Sequence, residues 1–275
     1  MKVLITGANG QLGQEMQHLL DERGQEYLAE DSQGLDITDK EAVDAYFEKN
    51  KPEVVYHCAA YTAVDKAEGE GKELNWKVNV DGTENIAKAC QKVGATLLYV
   101  STDYVFDGNR TSGEYLPDDP KGPRNEYGKA KLTGEEAVQK YCDKYYIIRT
   151  AWVYGKWGHN FVYTMLNLAK NHDKLTVVDD QVGRPTWTRT LAEFLTYLVD
   201  NKVEYGVYHC CNDGQCSWYE FAKEILKDTD VDVQPVTSDQ YPTDAFRPHY
   251  SVMKLAKETG FVFPDWKEAL DEFLS

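Results

Sequence analysis

The chain opens on a short apolar run, Lys2-Val-Leu-Ile-Thr6, of the length of one buried strand. It then passes through Gly7-Ala-Asn-Gly-Gln-Leu-Gly13 into a helical pattern that continues to Arg23. Strand-like runs recur at Glu26–Ala29, Val54–Cys58, Thr96–Ser101 and Tyr145–Arg149, with helical patterns at Asp39–Asn50, Leu74–Val93 and Glu126–Asp143 between them. Alternation of this kind predicts a parallel sheet with right-handed crossovers, because strands that run the same way need a helix to carry the chain back. Thr38-Asp-Lys-Glu41 has the composition of a capping box for the second helix, which Pro52 closes. Past Arg149 the pattern loosens into aromatic-rich stretches punctuated by Pro185, Pro235, Pro242, Pro248 and Pro264. Helices are expected there near Phe161–Asn171, Leu191–Val199 and Ser217–Lys227.

The expected fold is therefore α/β: a Rossmann-type doubly wound parallel sheet over residues 1–149, with a smaller C-terminal substrate-binding lobe over 150–275. Some segments of the second half are expected to return to the sheet. No repeat or low-complexity linker separates the halves, so they should pack closely, with a cleft at the carboxyl ends of the strands. With 275 residues and 42% hydrophobic side chains the chain can bury a large core. A net charge of −16 excludes a broad basic face, which argues against nucleic acid or an anionic membrane as partner. Six cysteines (58, 90, 142, 210, 211 and 216) show no Cys-x-x-Cys spacing and no Cys/His grouping, so no metal is expected and reduced thiols in a cytoplasm fit best. The N-terminus reads straight into a strand without a signal peptide, and no apolar run approaches the ~20 residues that span a bilayer.

Three stretches carry candidate chemistry. Gly7, Gly10 and Gly13 sit where the first strand hands over to the first helix, so the backbone can turn tightly and a pyrophosphate can rest on the free amides of the helix start. The spacing is Gly-x-x-Gly-x-x-Gly, and without its strand and helix it would read as a flexible loop. The run Leu97-Leu-Tyr-Val-Ser-Thr102 is a strand ending in two hydroxyls, Ser101 and Thr102, at the edge where ligands of open parallel sheets bind, although such hydroxyls also cap turns. Tyr127 and Lys131 lie one helical turn apart; an ammonium beside a phenol is the simplest way to stabilise the phenolate, yet the same spacing arises on ordinary amphipathic helices. Together Ser101, Thr102, Tyr127 and Lys131 form a hydroxyl, phenol and ammonium set suited to holding a carbonyl oxygen and giving it a proton.

With these motifs in place, nearly the whole chain resembles the extended short-chain dehydrogenase/reductases, and within them the dTDP-4-dehydrorhamnose reductases. The resemblance is carried by the glycine turn, Leu35-Asp-Ile-Thr-Asp39, Cys58-Ala-Ala-Tyr-Thr-Ala-Val-Asp65, Ser101-Thr-Asp-Tyr-Val-Phe106, Tyr127-Gly-Lys-Ala-Lys131, Arg149-Thr-Ala-Trp-Val-Tyr-Gly155, Asp180-Gln-Val-Gly-Arg-Pro-Thr186 and Arg247-Pro248. It implies NAD(P)H-dependent reduction of a dTDP-4-keto sugar, with Thr102, Tyr127 and Lys131 catalytic. Tyr127 would supply the proton, Thr102 would hold the carbonyl oxygen, and Lys131 would keep the phenol acidic and hold the nicotinamide ribose. The resemblance further implies cofactor contacts from Gly7, Gly10, Gln11, Leu12, Gly13, Asp31, Asp36, Ile37, Ala59, Ala60, Tyr61 and Thr62, besides Tyr127 and Lys131. Val64, Thr102, Asp103 and Trp152 would contact the sugar nucleotide, with Arg184 and Arg247 as candidates to meet its diphosphate. Trp152 also fits a core aromatic, and exposed arginines also serve merely to solvate a surface.

The chain departs from the family pattern after the second strand, where Ala29-Glu-Asp-Ser-Gln33 stands in place of the arginine many such reductases carry, and at Arg184, where a serine or alanine is common. With carboxylates at Glu30 and Asp31 and no Lys or Arg between Gly24 and Asp39, NADH is the expected preference over NADPH. The acidic cluster that holds Mg2+ in some family dimers is not reproduced around Thr188-Arg-Thr-Leu-Ala-Glu-Phe194, and the expected assembly is a monomer or a homodimer. A 4,6-dehydratase of the same fold would carry Thr-Asp-Glu where this chain has Thr102-Asp103-Tyr104. A 4-epimerase would lack the Asp-Tyr-Val-Phe run and keep its NAD tightly bound. A non-catalytic regulatory subunit of the same fold would not need the intact Thr102, Tyr127 and Lys131 set.

Overall fold

A computed structural model describes all residues, 1–275. Six parallel strands form the main sheet: β1 (Val3–Thr6), β2 (Tyr27–Glu30), β3 (Val54–His57), β4 (Thr96–Thr102), β5 (Tyr145–Thr150) and β6 (Gly206–His209), in the order β6-β5-β4-β3-β1-β2. β1 lies between β2 and β3, so the chain winds one way through β2 and the other way through β3, β4 and β5. The reversal leaves a crevice at the carboxyl end of β1. Both faces of the sheet are covered, which is why its central strands read as nearly continuous apolar runs. One face packs on Gln11–Glu22 and Thr188–Asp200; the other packs on Lys40–Asn50, Thr83–Val93 and Glu126–Tyr141. A separate apolar core, with Tyr154, Phe221 and Trp266 at its centre, holds the lobe built from the second half of the chain. That half also supplies β6 and the Thr188–Asp200 helix to the main sheet.

Local chemistry differs from the expected pattern in two elements. The second helix starts at Lys40, and its cap is Asp39, whose carboxylate accepts the amide hydrogens of Glu41 and Ala42 at 2.9 and 3.0 Å; Thr38 instead bonds Asp36, so the expected capping box is not made. A carboxylate placed on the amides of N2 and N3 also meets the positive end of the helix dipole. A capping box does form at Ser217 and Glu220, opening Trp218–Ile225. The expected Leu74–Val93 helix is three pieces: Lys72–Trp76, a π-helical segment Lys77–Gly82, and Thr83–Val93. Widening the helix lets Asn79 turn its carboxamide onto both backbone groups of Tyr61, at 3.1 and 3.0 Å, in the loop after β3.

Candidate active site

The crevice floor is set by backbone geometry. Gly7 holds φ at +68°, and a β-carbon there would lie 2.5 Å from the amide of Ala59, so the glycine turn and the end of β3 can approach only without a side chain. The following helix, Gln11–Glu22, begins at Gly10 with no side-chain cap and no acidic residue in its first turn. Its first amides are therefore available to an anion, and the residues fit a dinucleotide diphosphate. Asp31, at the end of β2, accepts a hydrogen bond from Asn9 of the glycine turn and the amides of Gln33 and Gly34 at 2.8 and 3.1 Å. Glu30 turns away to accept the Tyr46 hydroxyl at 2.8 Å. Asp36 folds its own loop by accepting from Thr38, and Ile37 packs on Gly82 while its carbonyl accepts from Asn85. Gln11 and Leu12 open the helix, with the Gln11 carboxamide also accepting from Asn160 of the lobe at 3.0 Å; Ala59, Ala60, Tyr61 and Thr62 follow β3.

Asn125 starts the helix Glu126–Tyr141: its Oδ1 accepts the Gly128 amide at 2.7 Å and its Nδ2 donates to the Phe246 carbonyl at 3.0 Å, tying the helix start to the lobe. From that start Tyr127, Lys131 and Glu135 fall on one stripe, four residues apart. Glu135 is saturated: Arg149 grips both its oxygens at 2.8 and 2.7 Å, and the Ser101 hydroxyl donates to it at 2.6 Å. Ser101 therefore does not join the ligand hydroxyls as expected. Ser101 is held by Glu135 further along the helix, whereas Thr102, at the very end of β4, lies by Tyr127 in its first turn. Lys131, one turn along the stripe from Tyr127, has an aromatic neighbour that the spacing did not announce. Its ammonium lies over the Tyr99 ring, 4.1 Å from the centroid, and burial lowers its pKa to about 7. Burial, with the Asp103 carboxylate nearby, pushes the Tyr127 phenol well above the usual range, and the Thr102 hydroxyl works in the opposite direction.

Thr102 accepts the Tyr104 amide at 3.2 Å and donates its single hydroxyl hydrogen to Asp103 Oδ1 at 3.0 Å. Asp103 is 4% exposed, its Oδ2 makes no well-formed hydrogen bond although the Ser251 hydroxyl lies close enough to moderate the shift, and burial lifts its pKa to about 6. A buried carboxyl left half-satisfied is costly, and such groups gather where chemistry is done.

On the lobe side a cavity of about 330 Å³ is lined by Trp152, Trp218, Phe161, Tyr104, Gln181 and Arg247, among others. Trp152 stacks on Trp218 with centroids 3.7 Å apart and holds φ at +50°, a strained conformation for a bulky residue; it lines this cavity while packing on the cores behind it. Arg247 reaches the cavity while pairing with Asp65 at 2.7 Å, beside Val64. Arg184 corrects the expectation: its guanidinium donates to the carbonyls of Gly214 and Met253 at 2.7 and 2.5 Å and to Glu114 at 2.8 Å, so all three of its nitrogens are engaged in bracing the lobe rather than offered to a diphosphate. Sequence reasoning passed over Asn79, Asn125 and Trp218. Of these only Asn125 had a signal, an Asn directly before a helix start.

A switch-point crevice with a glycine turn, and beside it Thr102 and Tyr127, the latter packed edge-on against Tyr104 of the lobe cavity, fit a nicotinamide-dependent enzyme of the extended short-chain dehydrogenase/reductase class. Residues 1–275 match the family described as "RmlD substrate binding domain". The chain is 43% identical over 280 residues to a dTDP-4-dehydrorhamnose reductase of Streptomyces griseus, covering 98% of this chain and 91% of that one. It is 41% identical over 279 residues to the spore coat polysaccharide biosynthesis protein SpsK of Bacillus subtilis, covering 99% and 96%. The crystal structure of a dTDP-4-dehydrorhamnose reductase from Clostridium acetobutylicum superposes with a TM-score of 0.96 at 48% identity, covering 100% and 98% of the two chains. That of Bacillus anthracis, solved in complex with NADP, gives 0.95 at 41%, covering 99% and 98%. The chain belongs to the dTDP-4-dehydrorhamnose reductase family and is an oxidoreductase that uses a nicotinamide cofactor. No helix is long and apolar enough to cross a membrane.

Proposed function

We propose that the protein reduces the C4 ketone of dTDP-4-dehydro-L-rhamnose to dTDP-L-rhamnose. The observation that carries this reading is the meeting of Thr102 and Tyr127 at one buried site beside the aromatic cavity of the lobe. NADH or NADPH, when bound, supplies the hydride. Tyr127 gives its phenolic proton to the oxygen that becomes the new hydroxyl, and Thr102 donates a hydrogen bond to the same oxygen as charge grows on it. Protonation of Asp103 frees the Thr102 hydrogen for that task and removes a negative charge from beside the developing alkoxide. Lys131 holds positive charge near the reacting oxygen. The stacked Trp152 and Trp218 pair gives the cavity an aromatic wall on which a flat base can pack, and Arg247 suits the diphosphate.

Asp31 beside the glycine turn gives a carboxylate for the free 2'-hydroxyl of NADH, with no guanidinium in that loop for a 2'-phosphate. The expected preference in kcat/KM is roughly tenfold for NADH, or about 1.4 kcal/mol. Mixing the protein with dTDP-4-dehydro-L-rhamnose and each cofactor at matched ionic strength, and following loss of reduced-nicotinamide absorbance, tests both statements. Absence of turnover with either cofactor contradicts the first, and a clear NADPH preference contradicts the second.

A further inference from the structure

Lys131 is 2% exposed, and the carboxylate one turn further along its helix is already spent on Arg149 and Ser101. A buried ammonium without a counter-ion is expensive and tends to lose its proton. What its charge does meet is the face of Tyr99, with Nζ 4.1 Å from the ring centroid. That ring is fully buried in β4 and is pinned from several sides. Its hydroxyl donates to the Lys131 carbonyl at 3.3 Å, its plane stacks at 26° on His57, and the absence of a side chain at Gly134 makes room for it: a β-carbon there would lie 2.4 Å from the hydroxyl.

We propose that Tyr99 is a positioning residue for the reduction, its ring face holding the Lys131 side chain in place and keeping its ammonium protonated. The role belongs to the π-face and not to the hydroxyl, because the quadrupole of the ring attracts a cation most strongly where water is excluded. The other groups around Lys131 leave this contact unrivalled. His57 is held between Thr6 and Thr83, and burial and the Lys131 charge lower its pKa to about 3, so it stays neutral. Burial pushes the Cys58 thiol up to about 12, so no thiolate forms there at neutral pH. Tyr127 stays a neutral phenol, and Glu135 attracts Lys131 only across its own pairing with Arg149.

The ring's contribution is read directly in the ligand-free protein by titrating lysine Cε carbons by NMR, with Lys131→Ala assigning the resonance. Tyr99→Phe keeps the ring and should leave the Lys131 pKa unchanged, whereas Tyr99→Leu should lower it by about one pH unit. Where the leucine variant does not fold, phenylalanine analogues of increasing fluorination at position 99 weaken the ring face without changing its bulk, and the pKa should fall stepwise along the series. A pKa indifferent to leucine or to fluorination overturns the proposal, as does a phenylalanine variant that behaves like leucine. The kinetic counterpart rests on the function proposed above: the alkaline limb of kcat should move down by the same interval in Tyr99→Leu, costing about tenfold at pH 8 and little at pH 5.5. An unmoved limb alongside a lowered pKa would count against Lys131 acting as a cation in that reaction, while leaving its contact with Tyr99 intact.

Discussion

Two buried ionisable groups sit one turn apart on the Glu126–Tyr141 helix and are treated in opposite ways. Glu135 is gripped by Arg149 and Ser101, with Arg149 also donating to the Pro117 carbonyl at 2.9 Å, so every strong donor and acceptor has a partner. Lys131 has only a ring face, and across the cleft Asp103 keeps one oxygen without a well-formed hydrogen bond. The first arrangement locks the helix to the sheet and leaves nothing over for a ligand. The second leaves a carboxyl, a hydroxyl and a phenol together, with Lys131 one helical turn from the phenol, and burial displaces the proton affinities of Asp103, Tyr127 and Lys131, which suits them to exchange protons.

Breaking the wall should have the largest effect. Arg149→Met leaves the Glu135 carboxylate buried without its cation and should cost about 3–5 kcal/mol of stability in urea unfolding. A loss below about 1 kcal/mol would mean the pair is no strut. On the cleft side, Thr102→Val keeps the shape and removes the donor. Steady-state kinetics should show kcat reduced by roughly 10- to 1000-fold with unfolding unchanged, and an unaltered kcat removes Thr102 from the mechanism.

Asp103 sharpens the contrast through stability. Its pKa is raised in the fold, from 3.8 to about 6, so its neutral form contributes stability that is present below pH ~4 and lost as pH rises through about 6. Above that window the ionised carboxylate is a burden, and Asp103→Asn should gain about 1–3 kcal/mol at pH 8 while gaining nothing at pH 4. Thermal melts at the two pH values decide it, and an equal effect at both would show that Asp103 is not strained by its charge.

The sheet was legible because β1, β3, β4 and β5 are apolar runs separated by helical periods, and the glycine turn was legible because it falls between a strand and a helix. What escaped the sequence are choices that depend on partners far along the chain. Nothing local says that Arg184 will find Glu114, Gly214 and Met253, or that Gly206–His209 will add a sixth strand beside β5. Ser101 and Thr102 are both strand-end hydroxyls, and which of them is held by Glu135 and which lies by Tyr127 shows only once the helix that carries both is in place. The Tyr/Lys spacing was read correctly as one stripe of one helix. The ring over which the ammonium lies was not legible, since it comes from β4, far along the chain.

Proton transfer by the cleft groups is tested most directly by Tyr127→Phe. The substitution removes one hydroxyl and nothing else. Measured with dTDP-4-dehydro-L-rhamnose and NADH, kcat should fall by at least ~100-fold while cofactor affinity and the unfolding midpoint stay near those of the parent protein. Near-normal turnover by the phenylalanine variant would contradict the claim.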